Sequence, residues 1–325
     1  MRSAIHLSFG EPADVLHLGE SPMPQPGPGE VRIKTLLAPI HNHDLWTVRG
    51  QYGYKPALPA IGGSEAVGLV DALGEGVQGV AVGQRVTVAG VHGSWAEYFI
   101  APAPLLVPLP PSIADEAAAQ LIAMPLSALM LLEFLEVQSG DWIVQNTANG
   151  AVGKTLAMLA AARGIHVVNL VRRNAGVEEL AALGIGNAVS TAQPDWQFQV
   201  RTLLGDATPC AAVDSIGGAA SGDLLGLLGE GGLLVSFGTA SGEPMQIASG
   251  DLIFKQAIVK GFWGSKVSAA LPVEDKRRLL GELLGLAASG RLQLPVEAIF
   301  DLADISQAAA ASLQPGRKGK VLLRP

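Results

Sequence analysis

The chain has 325 residues, of which 49% are hydrophobic and 16% are charged, and its formal net charge is −7. This length suits about two domains, and the low polarity excludes a largely disordered chain. The acidic balance excludes a nucleic-acid-binding face that relies on bulk positive charge. The single cysteine, Cys210, excludes a disulfide framework and a multi-cysteine zinc site, and we expect it to be a small core residue.

Targeting and membrane segments are not indicated by the sequence. No apolar run reaches the roughly 20 residues that span a membrane, and the first residues lack the pattern of a signal or transit peptide. We therefore expect a cytoplasmic protein that has neither a membrane nor a nucleic acid as a partner.

From Met1 to Pro111, proline and glycine separate short apolar runs such as EVRIKTLLAPI, AVGLVDALG and RVTVAG. This pattern favours a β-rich module of short strands. The connection from Asn42 to Gly63 is predicted to be a long irregular loop, and long ordered loops tend to carry function.

After Pro111, strand-like runs such as DWIVQNT and IHVVNLV alternate with helical runs such as TLAMLAAARG. This alternation predicts a parallel sheet wrapped by helices, with apolar strands because both faces of the sheet are buried. The predicted fold class is therefore α/β, with a doubly wound parallel sheet over residues 118–265. A second, β-rich domain is predicted to combine residues 1–117 with the tail, residues 266–325.

The run ANGAVG, from Ala148 to Gly153, joins a predicted strand to a predicted helix. It has glycine at the last two positions of the dinucleotide-binding fingerprint. Gly150 would let backbone N–H groups approach a pyrophosphate, Gly153 would let the helix pack closely on the strand, and the helix N-terminus would favour the anion. We expect dinucleotide binding here; the alternative is an ordinary glycine-rich turn.

The next predicted strand ends in Arg172 and Arg173 rather than in a carboxylate. Sites that prefer NAD use an acidic residue at this point to bind the ribose hydroxyls, whereas arginine accommodates a 2′-phosphate. The sequence therefore favours NADPH as the cofactor. The alternative is a solvated arginine pair on a surface turn.

Several runs occur in the order and at the spacing of a known family: RGQYG at Arg49–Gly53, then LPAIGGSEAVG, IVQNTANGAVG, NLVRR and LIFKQAIVKGFW. The chain thereby resembles the medium-chain dehydrogenase/reductase superfamily, and within it the zinc-independent 2-enoyl thioester reductases of the mitochondrial type. Related quinone reductases share the tyrosine loop and the nucleotide turn but not LIFK…GFW. The resemblance implies a Rossmann domain, a GroES-like catalytic domain and a homodimer joined through the strand in AIVKGFW.

By position, the resemblance implies that Tyr52 is the active-site tyrosine, with Tyr54 as the rival candidate. It implies cofactor contacts from Asn149, Gly150, Ala151, Val152, Gly153, Arg172, Arg173, Phe237, Gly238, Thr239, Ala240, Phe262, Trp263, Gly264, Ser265 and Lys320. Three residues depart from the family's pattern. Met124 stands where these reductases have an asparagine near the nicotinamide, and His41 and His43 replace smaller residues.

In the zinc alcohol dehydrogenases of this superfamily, the ligand positions would fall at His41, Ser64, Glu65 and Ala123. Serine and alanine are not ordinary strong zinc ligands, so we expect no bound metal. The alternative is a makeshift site of His41, His43 and Glu65.

Two aspartates have other expected roles. Asp44 is predicted to cap backbone N–H groups, and Asp214, at a predicted strand end, is a candidate for facing the cofactor.

The sequence thus predicts a zinc-independent, NADPH-dependent reductase of an activated carbon–carbon double bond in a small-molecule substrate, with a 2-enoyl thioester as the first candidate. Tyr52 would donate a hydrogen bond to the carbonyl oxygen on which negative charge develops. Two alternatives stay open. One is a quinone or enone reductase, because the same hydride geometry serves any conjugated carbonyl, and the other is a non-catalytic NADPH-binding protein.

Overall fold

The computed structural model describes residues 1–325, beginning with eight strands and three short helices. These elements are β1 (Arg2–His6), α1 (Pro12–Val15), β2 (Leu16–Glu20), β3 (Glu30–Pro39), α2 (Asn42–Val48), β4 (Ala60–Ile61), β5 (Glu65–Leu73), β6 (Arg85–Ala89), β7 (Tyr98–Pro102), β8 (Val107–Pro108) and α3 (Asp115–Ala118). The predicted β-rich character of this part of the chain is confirmed.

The middle of the chain alternates helices and strands. These elements are α4 (Ala123–Phe134), β9 (Trp142–Gln145), α5 (Ala151–Ala162), β10 (His166–Val171), α6 (Asn174–Ala181), β11 (Ala188–Ser190), α7 (Trp196–Leu204), β12 (Ala211–Asp214), α8 (Ala220–Leu227), β13 (Leu233–Ser236), α9 (Ser249–Lys255), β14 (Ile258–Gly261) and α10 (Gly264–Ala270). The tail adds α11 (Val273–Ala288), β15 (Val296–Asp301), α12 (Ile305–Leu313) and β16 (Lys320–Arg324).

Residue contacts divide the chain into two compact units. Unit 1 comprises Met1–Ala123 and Leu284–Pro325, and unit 2 comprises Met124–Leu283. Compared with the sequence-based limits of 118 and 265, unit 2 extends further toward the C-terminus, through α10 and most of α11. No helix in either unit combines the length and the apolar character that crossing a membrane requires, and the cytoplasmic location stays a prediction.

Unit 2 is built on a six-stranded parallel sheet with the strand order β11-β10-β9-β12-β13-β14. The order runs outward in one direction from β9 to β11 and in the other from β12 to β14, so the predicted doubly wound sheet is confirmed. Its central strands are apolar because helices cover both faces, and Val144, Val168, Ala212 and Leu234 are buried in one core cluster. Ligands of such sheets bind outside the carboxyl ends of the strands, where the order changes direction.

Unit 1 contains a seven-stranded sheet with the strand order β15-β16-β3-β5-β6-β8, in which β7 also pairs with β3. A second sheet has the order β2-β1-β4. The tail therefore rejoins the N-terminal strands, since β16 pairs antiparallel with β3 through Leu322–Pro39 and Leu323–Ala38. Ile33, Val321 and Leu323 are buried in the common core.

Two local expectations are wrong. The connection from Asn42 to Gly63 is not irregular throughout, because α2 forms its first seven residues. Cys210 is exposed rather than part of the core. It immediately precedes β12 at the amino edge of the parallel sheet, where its thiol lies 3.5 Å from the carbonyl oxygen of Trp142.

Candidate active site

The turn between β9 and α5 holds the first group of predicted cofactor residues, Asn149 to Gly153. A Cβ atom on Gly153 would lie 2.7 Å from Cα and 2.8 Å from the carbonyl oxygen of Ala148. Only glycine permits this approach of the helix to the turn. The N-terminus of α5 is thereby held directly behind β9, in the arrangement that binds a phosphate through helix N–H groups.

The second group, Arg172 and Arg173, follows the carboxyl end of β10, and both residues are exposed. Neither guanidinium takes part in an ion pair, in contrast to those of Arg2, Arg32, Arg49, Arg85, Arg163 and Arg278. Two guanidiniums thus remain available at the strand end where a dinucleotide's ribose is bound in doubly wound folds. Asn149, a residue of the first group, donates a side-chain hydrogen bond to Glu179 of α6, at 3.2 Å.

The third group, Phe237 to Ala240, follows β13 and lies close to the turn after β12. A Cβ atom on Gly238 would lie 2.9 Å from the carbonyl oxygen of Ser215, so this second close approach also requires glycine. Thr239 and Ala240 are exposed.

A hydrogen bond between Asn146, which follows β9, and Asp214, at the end of β12, links the two strands between which the strand order changes direction. The Asp214 carboxylate is buried and accepts hydrogen bonds from the Asn146 amide at 2.7 Å and the Ser221 hydroxyl at 2.6 Å. It also accepts the backbone N–H groups of Ile216 and Gly217. Asp214 therefore organises the turn rather than facing a cofactor, which corrects the expectation from the sequence.

The fourth group, Phe262 to Ser265, follows β14. The Phe262 ring is buried and packs edge-on against Phe134, with 5.4 Å between ring centroids, and tilted against Phe237, at 5.9 Å. Trp263 is 67% exposed and immediately precedes α10. All four groups in unit 2 follow carboxyl ends of parallel strands, so the structure brings them to one edge of the sheet.

The tyrosine loop of unit 1 presents two exposed phenols in different surroundings. The Tyr52 ring is 37% exposed and lies 5.7 Å from the His43 ring, tilted by 31°. Tyr54, the rival candidate, stacks on His92 at 4.1 Å with an interplanar angle of 15°. Tyr52 therefore adjoins the residues at the start of α2, whereas Tyr54 packs on a separate histidine.

The end of this loop is held against the buried indole of Trp95. Cβ atoms on Gly62 and Gly63 would overlap that ring, and Gly63 has a φ of +93°. The indole N–H in turn donates to the carbonyl oxygen of Pro39, at 3.0 Å. This packing fixes where Ser64 and Glu65 enter the site at the start of β5.

A chain of hydrogen bonds connects His43, Ser64 and Asp44. The Ser64 hydroxyl lies 2.8 Å from Nε2 of His43 and donates to Oδ1 of Asp44 at 2.6 Å. The other Asp44 oxygen accepts the backbone N–H of His41 at 3.0 Å. Asp44 thus satisfies a backbone N–H group at the beginning of α2, as the sequence predicts.

His41 and Glu65 form a second, fully buried pair. Nε2 of His41 lies 2.6 Å from Oε2 of Glu65, and Oε1 of Glu65 accepts the backbone N–H groups of Ile122 and Ala123 at 2.7 and 3.0 Å. Burial raises the pKa of Glu65 to about 7, although the hydrogen bonds from Ala123 and Ile122 act in the opposite direction. Burial also lowers the pKa of His41, so burial disfavours charge on both members of the pair, and a single proton between Nε2 and Oε2 satisfies their contact.

Lys320, the remaining predicted cofactor residue, is buried at the first position of β16. Burial lowers its pKa to about 8, the charge of Arg317 lowers it further, and Asp44 and Glu65 oppose the shift. Its ammonium therefore supplies positive charge near both carboxylates of the cluster. The predicted contact between Lys320 and a cofactor stays a prediction.

No group of three or more His, Cys, Asp or Glu side chains is arranged to hold a metal ion. At the positions of the zinc ligands, Glu65 instead binds the backbone N–H of Ala123, and His41 binds Glu65. Sequence reasoning did not foresee the joining of His43, Ser64 and Asp44. Two sequence features could have indicated this cluster: the histidine at position 43, where the family has a smaller residue, and Asp44, which lies three residues after His41.

The chain matches two family models and a group of known reductases. Residues 27–111 match the family model described as the alcohol dehydrogenase GroES-like domain, and residues 151–279 match the one described as zinc-binding dehydrogenase. The chain is 31% identical to the mitochondrial enoyl-acyl-carrier-protein reductase of Homo sapiens over 330 residues, which cover 99% of this chain and 88% of that protein.

Two solved structures extend the comparison to the fold. A protein of Bacillus thuringiensis described as an NADPH:quinone reductase superposes with a TM-score of 0.90 at 28% identity, covering 100% of this chain and 98% of that one. A mycobacterial protein complexed with NADPH superposes with a TM-score of 0.85 at 29% identity, covering 100% of both chains. With two matching domain models and relatives along its whole length, the chain belongs to the medium-chain dehydrogenase/reductase superfamily of nicotinamide-dependent oxidoreductases.

Proposed function

We propose that the protein reduces the activated carbon–carbon double bond of a small α,β-unsaturated carbonyl compound with NADPH, and that a 2-enoyl thioester is its favoured substrate. The observation that carries this proposal is the exposed phenol of Tyr52 beside a hydrogen-bonded histidine. The human relative, named as an enoyl-acyl-carrier-protein reductase and aligned over 99% of this chain, supports the substrate class.

The residues of unit 2 fit a dinucleotide cofactor. Gly153 and Gly238 keep two turns free of side chains at the carboxyl edge of the sheet, and the N-terminus of α5 would bind the pyrophosphate. Arg172 and Arg173 would bind the 2′-phosphate. When bound, the reduced nicotinamide supplies the hydride.

Tyr52 would stabilise the charge that the reduction creates. As the β-carbon accepts the hydride, negative charge develops on the carbonyl oxygen, and the phenol O–H donates a hydrogen bond to that oxygen. Such a donor stabilises the transition state more than the ground state, because the oxygen carries more charge there.

The test compares Tyr52→Phe with wild type and with Tyr54→Phe as the matched control. NADPH oxidation would be measured with a short enoyl-CoA, a simple enone and a benzoquinone. We expect the enoyl-CoA to have the highest kcat/KM. Tyr52→Phe should lower kcat about 10²- to 10³-fold, the typical cost of losing one such donor, while Tyr54→Phe should stay within about threefold of wild type.

Two outcomes would favour the alternatives. Fast benzoquinone reduction that is indifferent to Tyr52→Phe would favour a quinone reductase, the activity named for the Bacillus thuringiensis structure. NADPH binding without turnover of any acceptor would favour a non-catalytic binding protein.

We further propose that the protein is a homodimer. All four residues of β14 are exposed at the edge of the parallel sheet. A second copy that pairs with this edge would cover it.

A further inference from the structure

The hydrogen bonds that connect Asp44, Ser64 and His43, beside Tyr52, determine which atom donates in each contact. Asp44 accepts the His41 N–H with one oxygen, and its other oxygen accepts the Ser64 hydroxyl proton at 2.6 Å. Because that proton is committed to Asp44, Ser64 must accept at its second contact, Nε2 of His43 at 2.8 Å. His43 therefore has its proton on Nε2, and Nδ1 is the ring nitrogen left for another partner.

The position of His43 allows that nitrogen to act on a substrate. Its side chain is 25% exposed, and its ring lies beside Tyr52. Nε2 lies 3.5 Å from Oδ1 of Asp44, so the carboxylate provides a counter-charge when the ring is doubly protonated. The His41 ring stacks on the imidazole, with 5.0 Å between the ring centroids and an interplanar angle of 16°.

We propose that His43 is the proton donor of the reduction: Ser64 and Asp44 hold its Nε2–H, so that the second proton of the ring, on Nδ1, is the one transferred, while Tyr52 holds the oxyanion. This assignment rests on the proposed function. It gives the first task, holding the oxyanion, to Tyr52 and the second task, donating the proton, to His43. The first task needs a donor that keeps its proton and the second needs one that gives it up, and histidine is the side chain that most often transfers protons in enzymes.

His43 enters the reduction with a proton on each ring nitrogen, and the hydrogen bond to Ser64 retains the one on Nε2. A hydride that the reduced nicotinamide would supply, being itself oxidised, forms the new C–H bond at the β-carbon, and the π electron pair moves to the carbonyl oxygen, where Tyr52 donates its hydrogen bond. When that pair returns, the N–H bond at Nδ1 of His43 breaks and a C–H bond forms at the α-carbon. The ring keeps the electron pair as neutral imidazole and regains a proton from water.

The kinetic test uses His43→Gln and Ser64→Ala, with His92→Gln as the matched control because His92 packs on the other loop tyrosine. We expect His43→Gln to lower kcat by about 10²- to 10⁴-fold, the usual contribution of general acid catalysis, with KM within about threefold. Its solvent deuterium isotope effect should increase because proton transfer becomes rate-limiting. Ser64→Ala should lower kcat less, and His92→Gln should match wild type. In a further variant, His43→Ala, added imidazole should restore part of the activity.

A second readout is independent of turnover. In the free protein, ¹⁵N NMR of the His43 ring should show the neutral tautomer with its proton on Nε2, and Ser64→Ala should abolish this preference. Comparing thermal midpoints identifies variants that have lost the fold.

The two proposals fail in different ways. A folded His43→Gln variant with wild-type kcat and an unchanged solvent isotope effect would overturn the role of His43 and leave the proposed function standing. A neutral ring with its proton on Nδ1 would also overturn it. Wild type that reduces none of the three acceptors would overturn both proposals.

Discussion

Arg172 and Arg173 are the residues that we expect to determine whether NADPH or NADH is bound. Their guanidiniums are exposed and outside the protein's ion pairs, so binding a phosphate would not require breaking an existing salt bridge. Both lie at the end of β10, where doubly wound folds discriminate NADPH from NADH.

We predict that the double variant Arg172→Ala/Arg173→Ala raises KM for NADPH by at least about tenfold and changes KM for NADH by less than about twofold. A charge-assisted hydrogen bond to phosphate is worth roughly 1.5 to 3 kcal/mol, and solvent screening at this exposed site reduces that value. Initial rates with each cofactor would measure the effect, and Arg201→Ala, an exposed arginine on α7, is the control. Equal changes with both cofactors would contradict the assignment.

Glu65 gives unit 1 a dependence of stability on pH. Its folded-state pKa is about 7, against an ordinary value of 4.5. Between these two values the folded protein keeps a proton that the unfolded chain has lost, so the free energy of unfolding falls as pH rises through this window.

Glu65 should make the wild-type free energy of unfolding fall by about 2 kcal/mol between pH 5 and pH 7, since each unit of pKa shift corresponds to about 1.4 kcal/mol. We predict that Glu65→Gln removes this fall. Urea unfolding at pH 5, 6 and 7 would measure the slopes, with Glu75→Gln as the control because Glu75 is an exposed carboxylate of the same unit. The prediction fails if Glu65→Gln and wild type have parallel slopes.

At the scale of elements, β14 has one paired and one unpaired edge. The N–H groups of Ile258 and Phe262 bond to Gly232 and Ser236 on the β13 side. In the alternating geometry of a strand, the N–H of Val259 points to the outer edge. Ile253 and Phe254 of α9 are also exposed, Phe254 by 85%.

We predict that wild type is a dimer in solution and that Val259→Pro makes it a monomer, because proline removes the outward N–H while the bonds to β13 remain. Val259→Ala keeps that N–H and should stay dimeric. Light scattering coupled to size-exclusion chromatography measures both masses. A dimeric Val259→Pro variant would show that the two copies do not join through this edge.

For the whole molecule, the sequence predicted what depends on local pattern. Alternating apolar runs indicated the parallel sheet of unit 2, and the spacing of Gly150 and Gly153 indicated the turn before α5. The short strand-like runs in the tail also suggested that it rejoins the N-terminal module, and β16 pairs with β3.

The candidate active site of unit 1 was only partly predictable, because its partners are distant in sequence. Ser64 lies 20 residues from Asp44, and Glu65 lies 57 residues from Ile122. Hydrophobic periodicity carries no information about such pairs. Cys210 was mispredicted for a related reason, since its apolar character suggested the core and its position before β12 left it exposed.

The divided make-up of unit 1 affects how the nascent chain folds. Unit 2 is continuous, so all of its residues leave the ribosome before residues 284–325 do. During that interval β3 lacks its partner β16, and the backbone groups of Ala38 and Pro39 that face it form an open sheet edge. Such an edge is a template for pairing with other chains. The nascent chain is therefore exposed to aggregation until β16 has been synthesised, and the pairing of β16 with β3 ends that exposure.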